Sequence, residues 1–333
     1  MGTSEDSLGA LAAAENASDR PPVLAPEVVE AARGFAAASR AASTRRKYER
    51  AWDAFAAWCR THGHDFLPTH PAVVAGYLAA EAARGMSPAW VQLQLSAIGW
   101  VHRRAGRQPP QKTEAGAVIA EILAGVRRAH GRSPARKAAA DADVVRDLLY
   151  VIRGDALREV RDRALIAFGM AACLRRSELV ALRIEDLRRV PEGFRLTIRR
   201  SKGDQEGRGA EIAVPEGRRL HPVRHLEAWL AHGGIVDGFV FRRISNDGKR
   251  VTAEPMSDRA VARVVQARVA AVGLDPEQFA GHSLRAGFLT AAARAGASIF
   301  QMQQQSRHKS VQVLSAYVRS AHLFEEHAGR DFL

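Results

Sequence analysis

Apolar residues recur at three- and four-residue spacing through most of the first 130 positions, which predicts a succession of amphipathic helices. From Pro26, the residues Val28, Val29, Ala32, Phe35 and Ala36 follow that spacing. A second helix is expected from a Ser43-Thr44 cap to His62-Gly63, with Tyr48, Trp52, Phe55, Trp58 and Cys59 on one side and arginines around the other. Pro71 to Ala83 predicts a third, closed by Gly85. Ser87-Pro88 caps a fourth, running to Arg104, whose buried stripe is read as Trp90, Leu93, Leu95, Ile98 and Val101. Glu114 to His130 supplies a fifth.

These helices make one compact all-α domain over 25–131. Before it, residues 1–24 are rich in Ala, Ser, Glu and Asp without an apolar face, and are expected to be a disordered leader. After it, Gly131 to Lys137 is polar, basic and broken by Pro134, so 132–139 reads as a linker. A second domain follows over 140–333.

The second domain mixes periods. Asp143–Ile152 and the largely apolar Val160–Ala172 predict helices, the latter central. Phe194–Arg199 and Ala210–Val214 alternate as strands around a Gly-rich turn, with Phe239-Val240-Phe241 as a further short strand. Helices are expected at Arg224–Ala231, Asp258–Val272, Ser298–Gln305, around Val311, Leu314 and Val318, and as a tail over His322–Arg330.

Composition narrows the partner. In 333 residues, 49 Lys+Arg against 36 Asp+Glu give a formal charge of +13, which favours a polyanion. Basic residues gather at predicted helix ends (Arg45, Arg46, Lys47; Arg103, Arg104; Arg127, Arg128) and in the linker (Arg136, Lys137), where they suit a phosphate backbone. Two cysteines, Cys59 and Cys173, sit in apolar patterns and read as buried free thiols. No run of eighteen apolar residues and no basic-then-apolar N-terminus occurs, so a cytoplasmic chain with no membrane partner is expected. His62, His64 and His70 lack a companion ligand set, and Gly203, Gly207 and Gly209 lack phosphate-loop spacing, so no metal and no cofactor is expected.

The chemistry-bearing residues concentrate near the end. His282 and Arg285 stand three apart at the start of a helical run, where unpaired N–H groups favour an anion. His308 follows in Arg307-His308-Lys309-Ser310, and Tyr317 lies nine residues further on, a phenol aimed from a helix. Upstream stand Cys173-Leu174-Arg175-Arg176-Ser177-Glu178-Leu179 and, in the Gly-rich turn, Ser201-Lys202-Gly203. Five elements in this order resemble the tyrosine recombinase, or phage integrase, family.

The resemblance implies a mainly α fold with a small β-sheet. It comprises an N-terminal all-α, SAM-like core-binding domain and an α+β catalytic domain, closing as a C-shaped clamp on DNA. It implies Tyr317 as nucleophile, Arg175 and Arg285 on the non-bridging oxygens, and His308 as a further donor. His282 would relay the phenol proton, Lys202 would be the general acid, and Glu178 would orient the site. The expected product is a 3′-phosphotyrosine, made without metal or ATP. Double-stranded DNA with a specific site is the expected partner, and a chain monomeric in solution is expected to form a tetramer on DNA and work through a Holliday junction. In two places the chain departs from the family pattern: Cys173 and Arg307 stand where glycine is common. A type IB topoisomerase, sharing the constellation, and a non-catalytic DNA-binding protein of the same fold are the competing readings.

Overall fold

The computed structural model describes residues 25–131, 137–199, 209–324 and 327–333. The expected leader, most of the expected linker, including Arg136, and the turn carrying Lys202 lie outside the described residues. The chain divides into two compact units, Met1–Ala135 and Arg136–Leu333.

The first unit is helical: α1 (Pro26–Ala38), α2 (Ala42–Thr61), α3 (Pro71–Ala83), α4 (Pro88–Arg104) and α5 (Ala117–His130), with two 3-10 turns between α4 and α5. Its core interleaves Trp52, Phe55 and Cys59 of α2 with Val74, Tyr77 and Leu78 of α3, Val91, Leu95 and Ile98 of α4, and Ile119, Leu123 and Val126 of α5. Ser87 Oγ caps α4 by accepting the Trp90 N–H at 3.2 Å. The expected Ser43-Thr44 cap is corrected: α2 begins at Ala42, with Ala41 in the cap position and no side-chain cap. Trp90 is also not in the buried stripe. Its ring is partly exposed, and its indole N–H donates to Glu81 Oε2 at 2.9 Å.

The second unit opens with α6 (Ala142–Val151), capped by Asp141 Oδ1, and the central α7 (Leu157–Ala171), whose Val160, Leu165, Ile166 and Phe168 are buried. A short α8 (Arg176–Ala181) leads into an antiparallel sheet of β1 (Leu187–Val190), β2 (Gly193–Ile198) and β3 (Ala210–Pro215), with β2 in the middle. The register pairs Phe194 with Val214 and Leu196 with Ile212, so one face lies on the core. α9 (Pro222–His232) packs on α7, and Trp229 fixes the next segment by donating Nε1–H to the Val240 carbonyl at 2.8 Å. The strand expected at Phe239–Phe241 is displaced: Phe239 makes an isolated bridge to Arg183, and the hairpin is β4 (Arg242–Ile244) with β5 (Val251–Pro255).

After α10 (Asp258–Ala271) come α11 (Ser283–Arg294), α12 (Ile299–Ser306) and α13 (Val311–Ala321). They enclose a small second core of Cys173, Leu289, Ala293, Met302 and Leu314, against which Tyr317 and Val318 pack. The expected tail helix over His322–Arg330 is replaced by turns in the described residues: α13 ends at Ala321 and 328–332 are turns. The residues that open this unit are stitched to its last third. Ala138 N–H donates to the Gln278 carbonyl at 2.7 Å and Ala140 N–H to that of Ser283 at 3.0 Å. Gly287 makes room, because a Cβ there would meet the Ala140 oxygen at 1.7 Å. Among the described residues no helix is long and apolar enough to cross a membrane.

Candidate active site

Two sharp turns build the site. α7 stops at Ala171, and the chain reverses through Cys173 at φ 51°; α12 stops at Ser306, and the chain reverses through Arg307 at φ 57°. Left-handed backbone costs a non-glycine residue roughly 1 kcal/mol, and such strain persists where surrounding contacts enforce it. Both are positions where the recombinase pattern favours glycine, so the two departures noted in the sequence have one geometrical meaning.

Arg285 holds both turns. Its side chain leaves α11 almost wholly buried, at 4% exposure. Nη1 donates to the carbonyl of Cys173 and Nη2 to the carbonyl of Ser306. The guanidinium therefore ties the two reversals together, and neither end of its fork is idle.

Arg175 N-caps α8 and is gripped at both ends by one carboxylate. Its backbone N–H donates to Glu178 Oε2 at 2.8 Å, and its Nη1 to Oε1 at 2.7 Å. Arg307 donates Nη2 to the same Oε2 at 2.8 Å. Burial alone would raise the Glu178 pKa, but the Arg175 backbone N–H and the Arg307 and Arg175 guanidiniums outweigh it and hold the carboxyl below its ordinary value. Glu178 is thus an anion shared by two cations.

His308 is half-buried. Arg285 Nη2 lies 3.3 Å from its Nδ1, and Ser306 Oγ lies 2.8 Å from the same atom. A guanidinium has no acceptor, so Nδ1 accepts, the Ser306 hydroxyl donates to it, and the ring proton belongs on Nε2. Burial, then the charges of Arg285, Arg175 and Arg307, push the His308 pKa down to about 4, which keeps the ring neutral. Gln303 Nε2 pins the His308 carbonyl at 3.0 Å. Burial also pushes the Cys173 thiol up to about 12, so it stays protonated beside Arg285.

The structure brings Arg175, Glu178, Arg285 and His308 together as two hydrogen-bonded sets, Arg175–Glu178–Arg307 and Arg285–His308–Ser306, which meet where Ser306, Arg307 and His308 are consecutive. His282 is the exposed N-cap residue of α11, three positions before Arg285. Tyr317 sits midway along α13, half-buried against the cluster that contains Cys173. Among the basic residues singled out in the first unit, Arg46, Lys47, Arg103, Arg127 and Arg128 are exposed, while Arg104 lies over the Trp100 ring at 4.8 Å and Arg127 Nη2 reaches Gln92 Oε1 at 3.1 Å. Lys137 Nζ donates to the Glu277 carbonyl. Sequence reasoning gave no part to Ser306 as the group that sets the His308 tautomer. The spacing of two before a site histidine was its only trace.

Residues 140–323 match the model of the phage integrase family, a span that takes in Arg175, Lys202, His282, Arg285, His308 and Tyr317. The chain belongs to that family. The chain is 32% identical over 296 residues to an integrase/recombinase XerD homolog of Selenomonas ruminantium, covering 87% of this chain and 85% of that protein. It is 26% identical over 290 residues to the recombinase Cre of Escherichia phage P1, covering 81% of each. Among solved structures, the XerH site-specific recombinase in a post-cleavage complex with palindromic difH substrate aligns at TM-score 0.59 and 17% identity, over 78% of this chain and 71% of that one. A lambda integrase dimer bound to a COC′ core site aligns at TM-score 0.54 and 18% identity, over 86% and 95%. At such identities the likeness is one of fold.

Proposed function

We propose that this tyrosine recombinase recombines double-stranded DNA at specific sites through a covalent 3′-phosphotyrosine. The observation that carries the reading is the charge held in the second unit. Arg175 and Arg307 share a single carboxylate, Glu178, and Arg285 adds a third cation nearby, against a neutral His308. Three cations and one anion leave two positive charges in a protected place. A phosphodiester brings one negative charge, and the five-coordinate phosphorus formed on attack carries two. The site therefore suits the transition state better than the bound substrate.

Tyr317 Oη attacks phosphorus, the P–O5′ bond breaks, and the 5′-oxygen leaves with a proton. A phenol ionises at about pH 10 in water, so His282, exposed at the start of α11, accepts its proton. Arg175 and Arg285 stabilise the non-bridging oxygens, and the Nε2–H of His308 adds a neutral donor. Glu178 orients Arg175. Lys202 protonates the leaving oxygen. The ester formed keeps the bond energy of the one broken, so a second 5′-hydroxyl reverses the step without ATP or a metal. When that hydroxyl belongs to another duplex, strands are exchanged, and four copies acting in pairs pass through a Holliday junction.

The basic helix ends of the first unit fit the same partner. Arg45, Arg46 and Lys47 stand in the first two turns of α2, near the positive end of the helix dipole, and Arg45 pairs with Glu49 at 3.6 Å. They gain a purpose against a phosphate backbone.

The deciding experiment incubates the full chain with a nicked suicide duplex carrying its recombination site. Wild type gives a covalent adduct, and Tyr317→Phe gives none while retaining DNA binding. Adduct from both proteins would remove Tyr317 from its role. Relaxation of supercoiled DNA lacking any site would favour a topoisomerase.

A further inference from the structure

Arg307 is the odd member of the site. Its backbone holds a left-handed conformation, φ 57° and ψ 38°, that glycine would adopt without strain. Its side chain is 11% exposed, yet only Nη2 is engaged, with Glu178; Nε and Nη1 are buried without a hydrogen-bond partner.

Other shielded arginines of this unit are not left so. Arg268 sends Nε and Nη2 to Asp162 Oδ2 at 3.1 and 2.6 Å. Arg242 sends Nε to the Phe239 carbonyl at 2.8 Å and Nη2 to Asp237. A buried donor without an acceptor is costly, more so when it is charged. Arg307 thus strains its backbone, leaves two donors unmet and adds a cation beside two others. None of this stabilises the DNA-free chain. All of it is offset by an anion with two oxygens to offer.

Position says which anion. Ser306, just before Arg307, gives its carbonyl to Arg285, and His308, just after, faces Arg285 through Nδ1. Arg175 shares Glu178 with Arg307. We propose that Arg307 is a third phosphate ligand of the recombination site: with Nη2 pivoting on Glu178, its Nε and Nη1 turn onto oxygens of the phosphodiester that Arg175 and Arg285 address. The fork geometry of guanidinium matches such a pair of oxygens, and a lysine would not. The inference rests on the recombinase reading.

The test uses full-length Arg307→Gly and Arg307→Lys on the nicked suicide duplex, with thermal unfolding of each protein in the absence of DNA. Arg307→Gly relieves the turn and removes the unmet donors, so it unfolds at the wild-type temperature or above, yet forms adduct about 10- to 100-fold more slowly. Arg307→Lys keeps the charge, lacks the fork, and falls between. A merely structural arginine gives the opposite signature, lower unfolding temperature with an unchanged rate, and that result overturns the proposal. If Arg307→Gly loses both together, Arg307→Lys decides: stability regained without rate upholds the phosphate role, and both regained overturns it. A wild-type chain that makes no adduct would sink the recombinase reading itself, whereas equal rates for wild type and Arg307→Gly sink only this inference.

Discussion

Glu81 in the first unit and Glu178 in the second are both buried, and each is paired with an arginine three residues away. Their surroundings treat the charge differently. Glu81 accepts Arg84 Nη1 at 2.7 Å and the Trp90 indole N–H at 2.9 Å, and Arg84 is 70% exposed, so water shares the cation. That is a staple from α3 to the start of α4, and it needs nothing further. Glu178 faces Arg175 and Arg307, both largely shielded, with Arg285 nearby. The histidines repeat the contrast. His102 Nε2 accepts the Thr69 N–H at 3.1 Å and Nδ1 serves the Ile98 carbonyl at 2.8 Å, so its ring is closed off by backbone. His308 has Nδ1 occupied, with the proton left on Nε2 for something else. Glu81 and His102 are answered by groups of their own unit, whereas the cations around Glu178 outnumber the one carboxylate that faces them.

Removing the carboxylates sharpens this contrast most. Glu178→Gln leaves shielded guanidiniums without their anion and costs about 3–5 kcal/mol, of which added inorganic phosphate restores a part. Glu81→Gln costs about 1 kcal/mol and phosphate restores none of it. Urea unfolding of the full chain checks both, and equal losses would break the comparison.

Acid comes next. His308 and His225 are both held down to about 4, burial being the leading cause in each. In the unfolded chain an imidazole takes its proton below about pH 6.5, whereas the folded ring does so only near 4. The unfolded state therefore binds more protons across that window, and stability falls as pH is lowered from 6.5 toward 4. His308→Asn flattens the slope by the share of one imidazole. An unchanged slope would mean that His308 takes up its proton at the same pH in the folded chain as in the unfolded one.

The smallest effect belongs to the exposed charges of α2. Arg46→Ala or Lys47→Ala leaves folding untouched, weakens DNA binding several-fold, and lowers the slope of log K against log salt by about 0.9 for each phosphate that is no longer neutralised. Filter binding across a salt series reads this directly, and an unaltered slope would place these side chains off the DNA.

Much of this is legible in the chain. The helices of the first unit show in their apolar spacing because each turns one face to the core, as Val91, Leu95 and Ile98 do. Arg175, Glu178, Arg285 and His308 stand out by residue type and order. Other parts leave no such mark. β1 carries exposed Arg188 and Arg189 and is too short to alternate, and the β4–β5 hairpin is similarly short and polar. Gln94, fully buried in α4, breaks the rule that a polar residue faces water. The tail over His322–Arg330 reads as helix, yet it lacks an apolar face and its described residues form turns. Above all, a string of residues shows an arginine where glycine is common at 307. It cannot show that the same arginine reaches back across the fold to Glu178, because that contact depends on two turns brought together by a third residue, Arg285.

The stitch between Ala138–Ala140 and the run from Gln278 to Ser283 fixes where the second unit begins. The bond from Ala138 reaches the Gln278 carbonyl and that from Ala140 the carbonyl of Ser283, in the first turn of α11, beside His282 and two residues from Arg285. The start of the second unit and a candidate phosphate ligand thereby anchor to one helical turn.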